Sequence, residues 1–185
     1  MPFTFTQTEL PGVIKIDPKI FPDMRGYFME SFKKSEFIKT GIDFSFNQDN
    51  HSFSKSGVIR GLHFQKYPNE QGKLVSVISG EIFDVAVDIR PNSKTFSKWV
   101  GVILSEQNGA MLWIPPGFAH GFQALKDSHV YYKATNEFSK KDDAGIRWND
   151  PTISIKWPIH DPVVSAKDSK LPFLNDLHVL RGDFH

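Results

Sequence analysis

The stretch GVIRGLHFQ, residues 57–65, is mostly apolar and reads as a strand, yet it carries a guanidinium (Arg60), an imidazole (His63) and an amide (Gln65). Buried polar groups cost free energy unless they are paired or put to use. Either the fold satisfies these three, or they line a pocket. An imidazole can exchange a proton near pH 7, and a guanidinium can hold a phosphate or a carboxylate. A second segment, GAMLWIPPGFAH (109–120), ends on another imidazole, His120. A lone histidine in a strand is more often packed and hydrogen-bonded than functional; a pair placed in this way weighs toward a site.

These side chains must be positioned by short strands. VIKI (13–16), GYFMESF (26–32) and GVIRGLHF (57–64) alternate or run apolar, and KLVSVISGEIFDVAVDIR (73–90) reads as two strands turning at Ser79-Gly80. KWVGVIL (98–104), AMLWIP (110–115), GFQAL (121–125) and HVYYKATNEF (129–138) follow, broken by Gly, Pro, Asn and Asp. Strands this short at this spacing predict a sandwich or barrel. KKSEFIKTG (33–41) reads as a helix with Gly41 as its stop, and SAKDSKLPFL (165–174) as a turn or short helix. RPNS (90–93) and WNDP (148–151) read as turns, and RGDFH (181–185) as a solvated end.

Side chains alternate faces along a strand. Strict alternation puts Ile59, Gly61, His63 and Gln65 on one side and Arg60 on the other. A bulge at Gly61 would bring Arg60 round to the His63 face. In 84–90, Val85, Val87 and Ile89 share one face, and Asp84, Ala86, Asp88 and Arg90 the other.

Composition excludes several classes. The 185 residues suffice for one domain with a sizeable core. A formal net charge of +1 and the lack of a Lys/Arg block argue against a nucleic acid or a membrane surface as partner. Cysteine is absent, so thiolate chemistry and disulfides are out. No apolar run reaches membrane-spanning length, and MPFTFTQTELPG lacks the pattern of a secretory signal, so a cytoplasmic protein is expected. Seventeen Phe, four Trp and four Tyr suit a β protein with packed inner faces.

The two histidine segments follow one pattern. The first runs Gly57, five residues, His63, one residue, Gln65, four residues, Glu70; the second runs Gly109, five residues, Pro115, one residue, Gly117, two residues, His120. These resemble the two motifs of the cupin superfamily, a jelly roll or double-stranded β-helix. Metal-binding cupins carry His-x-His with a Glu in the first motif and a His in the second. Here Gln65 stands where the second His would be, and Ala124 where the second motif has its final Asn. A neutral amide is a poor ligand beside imidazole, although His63, Glu70 and His120 could form a two-His, one-carboxylate set.

A closer resemblance covers nearly the whole chain. FPDMRGYFMESF (21–32), NQDNHS (47–52), GVIRGLHFQ, QGKLVSVISGEIFDVAVDIRPNS (71–93), IPPGFAHGFQAL (114–125), YKATNEF (132–138), GIRWNDPTISIKWP (145–158) and SAKD (165–168) occur in the order and spacing of the dTDP-4-dehydrorhamnose 3,5-epimerases. The resemblance implies a mainly β, cupin-type jelly roll with a few short helices. It also implies a homodimer, a dTDP-sugar substrate, no metal and no organic cofactor. The N-terminal strand FTFTQTELPG is a candidate to pair across the dimer.

The family's reaction inverts the carbons flanking a 4-keto group. Such a site needs a base, a group to hold the carbonyl oxygen, and an acid on the opposite ring face. No nicotinamide is needed, and the chain has neither a GxGxxG nor a GxxxxGK[ST] motif. By resemblance, His63 is the base and Asp168 the carboxylate that pairs with it. On sequence alone, Ser165-x-x-Asp168 also reads as a capping box. Tyr132 matches the acid and Lys73 the group that stabilises the enolate oxygen. For these two, core packing and a solvated strand start are the bland alternatives, and inward parity of Lys73 with Val75 and Val77 is the test. His120 and Asp84 match further polar lining. At the nucleotide end, Arg25 and Arg60 match phosphate partners, Gln48, Asn50 and Glu30 polar neighbours, and Phe21 a ring that stacks on the base. Phe138 departs from the Tyr common in the family; it keeps stacking and loses a hydroxyl. Gln65 is expected to tune the pocket where a metal cupin has a ligand.

Three other readings share these residues. One is a mono-epimerase of a related dTDP-4-keto-deoxysugar, another a metal-dependent cupin enzyme, and the third a sugar-nucleotide binding module without catalysis.

Overall fold

The computed structural model describes residues 2–177; the stretch 181–185, read as a solvated end, lies outside them. Among the described residues, fourteen strands form two large sheets and a ribbon. The first sheet holds β1 (Phe3–Gln7), β2 (Ile14–Pro18), β5 (Gln48–Ser54), β7 (Lys73–Ser79), β10 (Met111–Ile114) and β12 (Ser128–Ala134), in the order β1-β2-β10-β7-β12-β5. The second has the order β13-β6-β11-β8-β9, built from β6 (Val58–Gln65), β8 (Glu81–Asp88), β9 (Trp99–Ser105), β11 (Phe118–Ala124) and β13 (Asp143–Gly145). β14 (Val163–Val164) pairs with β6 in parallel. β3 (Ile20–Asp23) and β4 (Gly26–Met29) form the ribbon, and α1 (Lys34–Ile38) is the single α-helix among the described residues.

The two sheets face each other as a jelly-roll sandwich. Val75, Val77, Leu112, Ile114 and Val130 from the first sheet meet Ile82, Ala86, Leu104, Phe118 and Phe122 from the second. Alternation within each strand sends the other parity outward. On the second sheet that parity, with Ile59, Leu62, Val85, Val87 and Ile89, is covered by Ile146, Ile153, Trp157 and Leu174. On the first sheet, Phe3, Ile14, Ile16, Leu74, Met111 and Trp113 are covered by Phe37 of α1 and by Ile42. Phe37 meets Phe3, Phe5 and Phe32 edge-on at 4.8–5.3 Å. α1 ends as expected, with Gly41 at positive φ just beyond it.

The predicted turn at Ser79-Gly80 is present, but it is not a hairpin. β7 and β8 belong to opposite sheets, so the turn is a corner between the two layers. Gly80 has φ +87°, and a Cβ there would sit 2.3 Å from the Asp127 carbonyl oxygen. β1 pairs with β2 of its own chain and forms an edge of the first sheet.

The bulge expected in GVIRGLHFQ is also present. His120 stands opposite His63 and Phe122 opposite Arg60, so β6 spends one residue more than β11 over this step. Gly61 absorbs it at φ +115°, where a Cβ would lie 2.7 Å from Gly121 Cα and from the His120 carbonyl oxygen. Only glycine fits so close an approach. Arg60 and His63 therefore line one cavity, while Ile59, Leu62 and Phe64 pack into the core behind the sheet.

Candidate active site

A cavity of about 570 Å³ opens between the sheets, with β6 and β11 forming one wall and β5, β7 and β12 the other. His63, His120, Arg60, Asp168, Lys73, Tyr132 and Asn50 all line it. The sequence scattered these groups over more than a hundred positions, and the sandwich gathers them.

On the first wall, His63 Nε2 lies 2.8 Å from Asp168 Oδ1. The carboxylate holds the ring proton at Nε2 and leaves Nδ1 its lone pair. Asp168 Oδ2 accepts a second bond from the Gly61 N–H at 3.2 Å, so the bulge also anchors the carboxylate. Burial acts to raise the Asp168 carboxyl, but the hydrogen bond and charge of His63, the Gly61 N–H and the Lys167 charge outweigh it. The group sits below its ordinary value. The capping alternative is half realised. Ser165 Oγ accepts the Asp168 N–H at 3.0 Å, while the Asp168 carboxylate turns to the imidazole instead of back to Ser165.

His120, the cross-strand partner of His63, has its own carboxylate: Nε2 lies 2.7 Å from Asp84 Oδ1. Burial pushes the His120 imidazole down, against the pull of Asp84, so it is neutral at pH 7 and donates Nε2–H to the acid.

Tyr132 faces these groups from β12, its ring 6.4 Å from that of His120. Burial raises its phenol, with Arg60 acting the other way, so it keeps its proton through neutral pH. Tyr131 points to the opposite face and donates to Asp49 at 2.7 Å, as alternation requires. Lys73 points inward with Val75 and Val77, and is only 8% exposed. Its Nζ is 5.9 Å from the Tyr132 ring centroid. Burial lowers it to about 8, partly opposed by Asp84 and Asp143.

Arg60 is oriented by bonds from Nε to Ser54 Oγ and from Nη2 to the Phe53 carbonyl, both 2.9 Å. Asn50 accepts from Gln48 Nε2 at 2.8 Å, and Gln48 Oε1 accepts the Phe138 N–H at 2.7 Å. Gln48 therefore braces the cavity residue Asn50 and ties it to the exposed Phe138.

Other expectations land elsewhere. Phe21, Arg25 and Glu30 lie on the β3–β4 ribbon or just after it, and none lines this cavity. Arg25 pairs with its neighbour Asp23. Gln65 does not tune the pocket. Its amide bonds the Asn69 and Glu137 carbonyls and the Ser139 N–H, stapling two loops together. The His63, Glu70, His120 set is not assembled, because Glu70 lines a separate hollow with Phe44, Asn47 and Asn136. Among the described residues no three His, Cys, Asp or Glu side chains group as a metal site.

Ser52 and Lys167 are among the cavity residues the sequence reading missed. Ser52 lines the wall with a buried Oγ that has no hydrogen-bond partner among the described residues. Reading NQDNHS as a strand would have found it, since Ser52 shares the parity of Asn50. Lys167 lines the mouth and pairs with Asp143. Beside Asp168 in a turn, it reads as a surface charge.

A jelly-roll sandwich with a polar cavity, an imidazole–carboxylate pair on one wall and a phenol on the other, defines a cupin-type site with the groups that proton transfer needs. A family model described as dTDP-4-dehydrorhamnose 3,5-epimerase matches residues 7–176, and the chain belongs to that family. It is 53% identical to the dTDP-4-dehydrorhamnose 3,5-epimerase of Shigella flexneri over 164 residues, 88% of this chain and 91% of the relative. It is similar to the crystal structure of the Sulfolobus tokodaii enzyme of the same name, with TM-score 0.89 and 50% identity over 95% and 97% of the two chains. The dTDP-6-deoxy-D-glucose-3,5-epimerase of Legionella pneumophila Philadelphia 1, solved in complex with dTDP-4-keto-L-rhamnose, aligns with TM-score 0.91 and 45% identity over 95% and 94%.

Proposed function

We propose that the protein inverts carbons 3 and 5 of dTDP-4-keto-6-deoxy-D-glucose, giving dTDP-4-keto-L-rhamnose for dTDP-L-rhamnose synthesis. One observation carries the reading: the His63–Asp168 pair and the Tyr132 hydroxyl occupy opposite walls of one cavity.

A sugar ring between the walls presents a C–H beside its ketone to His63. The imidazole takes that proton, the C–H electrons enter a new C=C bond, and the carbonyl oxygen becomes an enolate. Asp168 stabilises the imidazolium that forms. The Lys73 ammonium stabilises the oxyanion in a site of low dielectric. Tyr132 then returns a proton to the same carbon from the other face, which inverts it. No electron pair leaves the substrate, so no redox partner is consumed. At the nucleotide end, Arg60 and Asn50 are donors available to a diphosphate.

We also read the protein as a cytoplasmic homodimer. Among the described residues no helix is long and apolar enough to cross a membrane. Phe21, Met24, Tyr27 and Phe28 leave the β3–β4 ribbon with an exposed apolar surface of the kind that marks an interface. The assignment of Phe21, Arg25 and Glu30 to substrate binding rests on a second copy that places this ribbon at a neighbouring cavity.

Incubation with the keto-sugar in D2O tests the reaction. NMR is expected to show deuterium at both carbons flanking the ketone. Label at one carbon only would make the protein a mono-epimerase, and no label would end the epimerase reading.

A further inference from the structure

Below the cavity lies a carboxylate with half its hydrogen-bonding capacity unused. Asp84 on β8 is fully buried. Oδ1 accepts from His120, but Oδ2 is buried with no hydrogen-bond partner among the described residues. An ionised oxygen left without a donor costs free energy, so its presence calls for a compensating charge.

Lys73 is the cation in question. Buried at the start of β7, it makes no hydrogen bond or ion pair among the described residues. Its Nζ lies 5.9 Å from the Tyr132 ring centroid, which is 6.4 Å from that of His120, the hydrogen-bond partner of Asp84; Asp84 and, after it, Asp143 on β13 oppose the burial that favours its neutral form. The other titratable groups around this cluster are His120 on β11, His63 on β6 and Tyr132 on β12. Burial favours the neutral amine, and a neutral amine stabilises an oxyanion poorly.

We propose that Asp84 is a positioning residue acting on two groups at once: Oδ1 holds His120 in one tautomer, and the unpartnered Oδ2 is the counter-charge that keeps the buried Lys73 ammonium protonated. The inference rests on reading the cavity as an epimerase site. With Asp84 in place, Lys73 still falls to about 8, which leaves roughly ten charged amines for each neutral one at pH 7. Loss of Asp84 would narrow that margin.

The test reads Lys73 directly, by NMR titration of lysine-labelled protein without substrate, in the wild type, Asp84→Asn and Asp143→Asn. The expected midpoint is about 8 in the wild type. Asp84→Asn is expected to lower it by about tenfold in proton affinity or more, and Asp143→Asn by less. No shift in Asp84→Asn, or an equal shift in both variants, overturns the proposal. If Asp84→Asn does not fold, Asp84→Ser, also neutral and smaller, is titrated in its place, and an unchanged Lys73 midpoint overturns the proposal. In kinetics on the same samples, the alkaline limb of kcat moves to lower pH with the Lys73 midpoint, and a limb that stays put while the midpoint shifts removes the positioning role. If the wild type fails to turn over the nucleotide sugar, the epimerase reading falls, while the titration still decides the counter-charge.

Discussion

His63 and His120 stand opposite each other on β6 and β11, and each gives its Nε2 to a different carboxylate, Asp168 at 2.8 Å and Asp84 at 2.7 Å. The environments differ where the chemistry requires it. The His63 side chain is about a third exposed (32%) at the cavity, so its free nitrogen can meet a ligand, whereas the His120 side chain is 7% exposed. The first pair is suited to moving a proton and the second to holding a fixed dipole.

Replacing either member of the first pair separates catalysis from binding. His63→Ala is expected to lower kcat by several orders of magnitude, and Asp168→Asn by about a thousandfold, with little change in KM. Steady-state kinetics checks this. A raised KM with kcat preserved would make the pair a binding feature.

Tyr132→Phe separates proton removal from inversion. The base remains, so hydrogen exchange next to the ketone continues in D2O while the inverted product fails to accumulate. NMR of the recovered sugar reads both outcomes. Normal inversion by the variant would remove Tyr132 as the acid.

If the Lys73 ammonium stabilises the oxyanion as proposed, Lys73 is expected to set the alkaline limb: burial lowers it to about 8, so kcat should decline as pH rises through that region. Tyr132, raised by burial, ionises later and does not cause this limb. Lys73→Arg, whose guanidinium stays protonated, is expected to move the limb beyond pH 10 at whatever activity remains. A pH–rate profile from 6 to 10 decides.

Acid stability should depend on Asp168. Its folded-state carboxyl lies below its unfolded value, so it stabilises the fold above the ordinary carboxyl range. That contribution is lost as pH falls through the folded value. Asp168→Asn should flatten this part of the stability curve, read by urea unfolding between pH 3 and 6.

Gly61→Ala should unfold or distort the site. The new methyl group would meet backbone atoms at 2.7 Å in a left-handed conformation. The expected loss is roughly 2–4 kcal/mol in denaturant stability, with activity falling further because Arg60 and His63 are re-aimed.

Much of this was local and therefore legible in the chain. Period-two alternation placed Val85, Val87 and Ile89 against one core and Lys73, Val75 and Val77 toward the other. A glycine between Arg60 and His63 announced the bulge. The motif spacing and its resemblance to a family marked His63, Tyr132, Asp168 and Lys73 before any of them had a neighbour. Side-chain direction along a strand, and the demand of positive φ for glycine, are properties of a few consecutive residues, so a linear chain can display them. Which carboxylate meets which imidazole is not such a property. Asp168 lies 105 positions from His63, the turn at Gly80 crosses between sheets where it could have closed a hairpin, and Gln65 staples loops where it was expected to face the pocket. These depend on which strands become neighbours and how far apart two sheets pack, and only contacts between distant segments settle that.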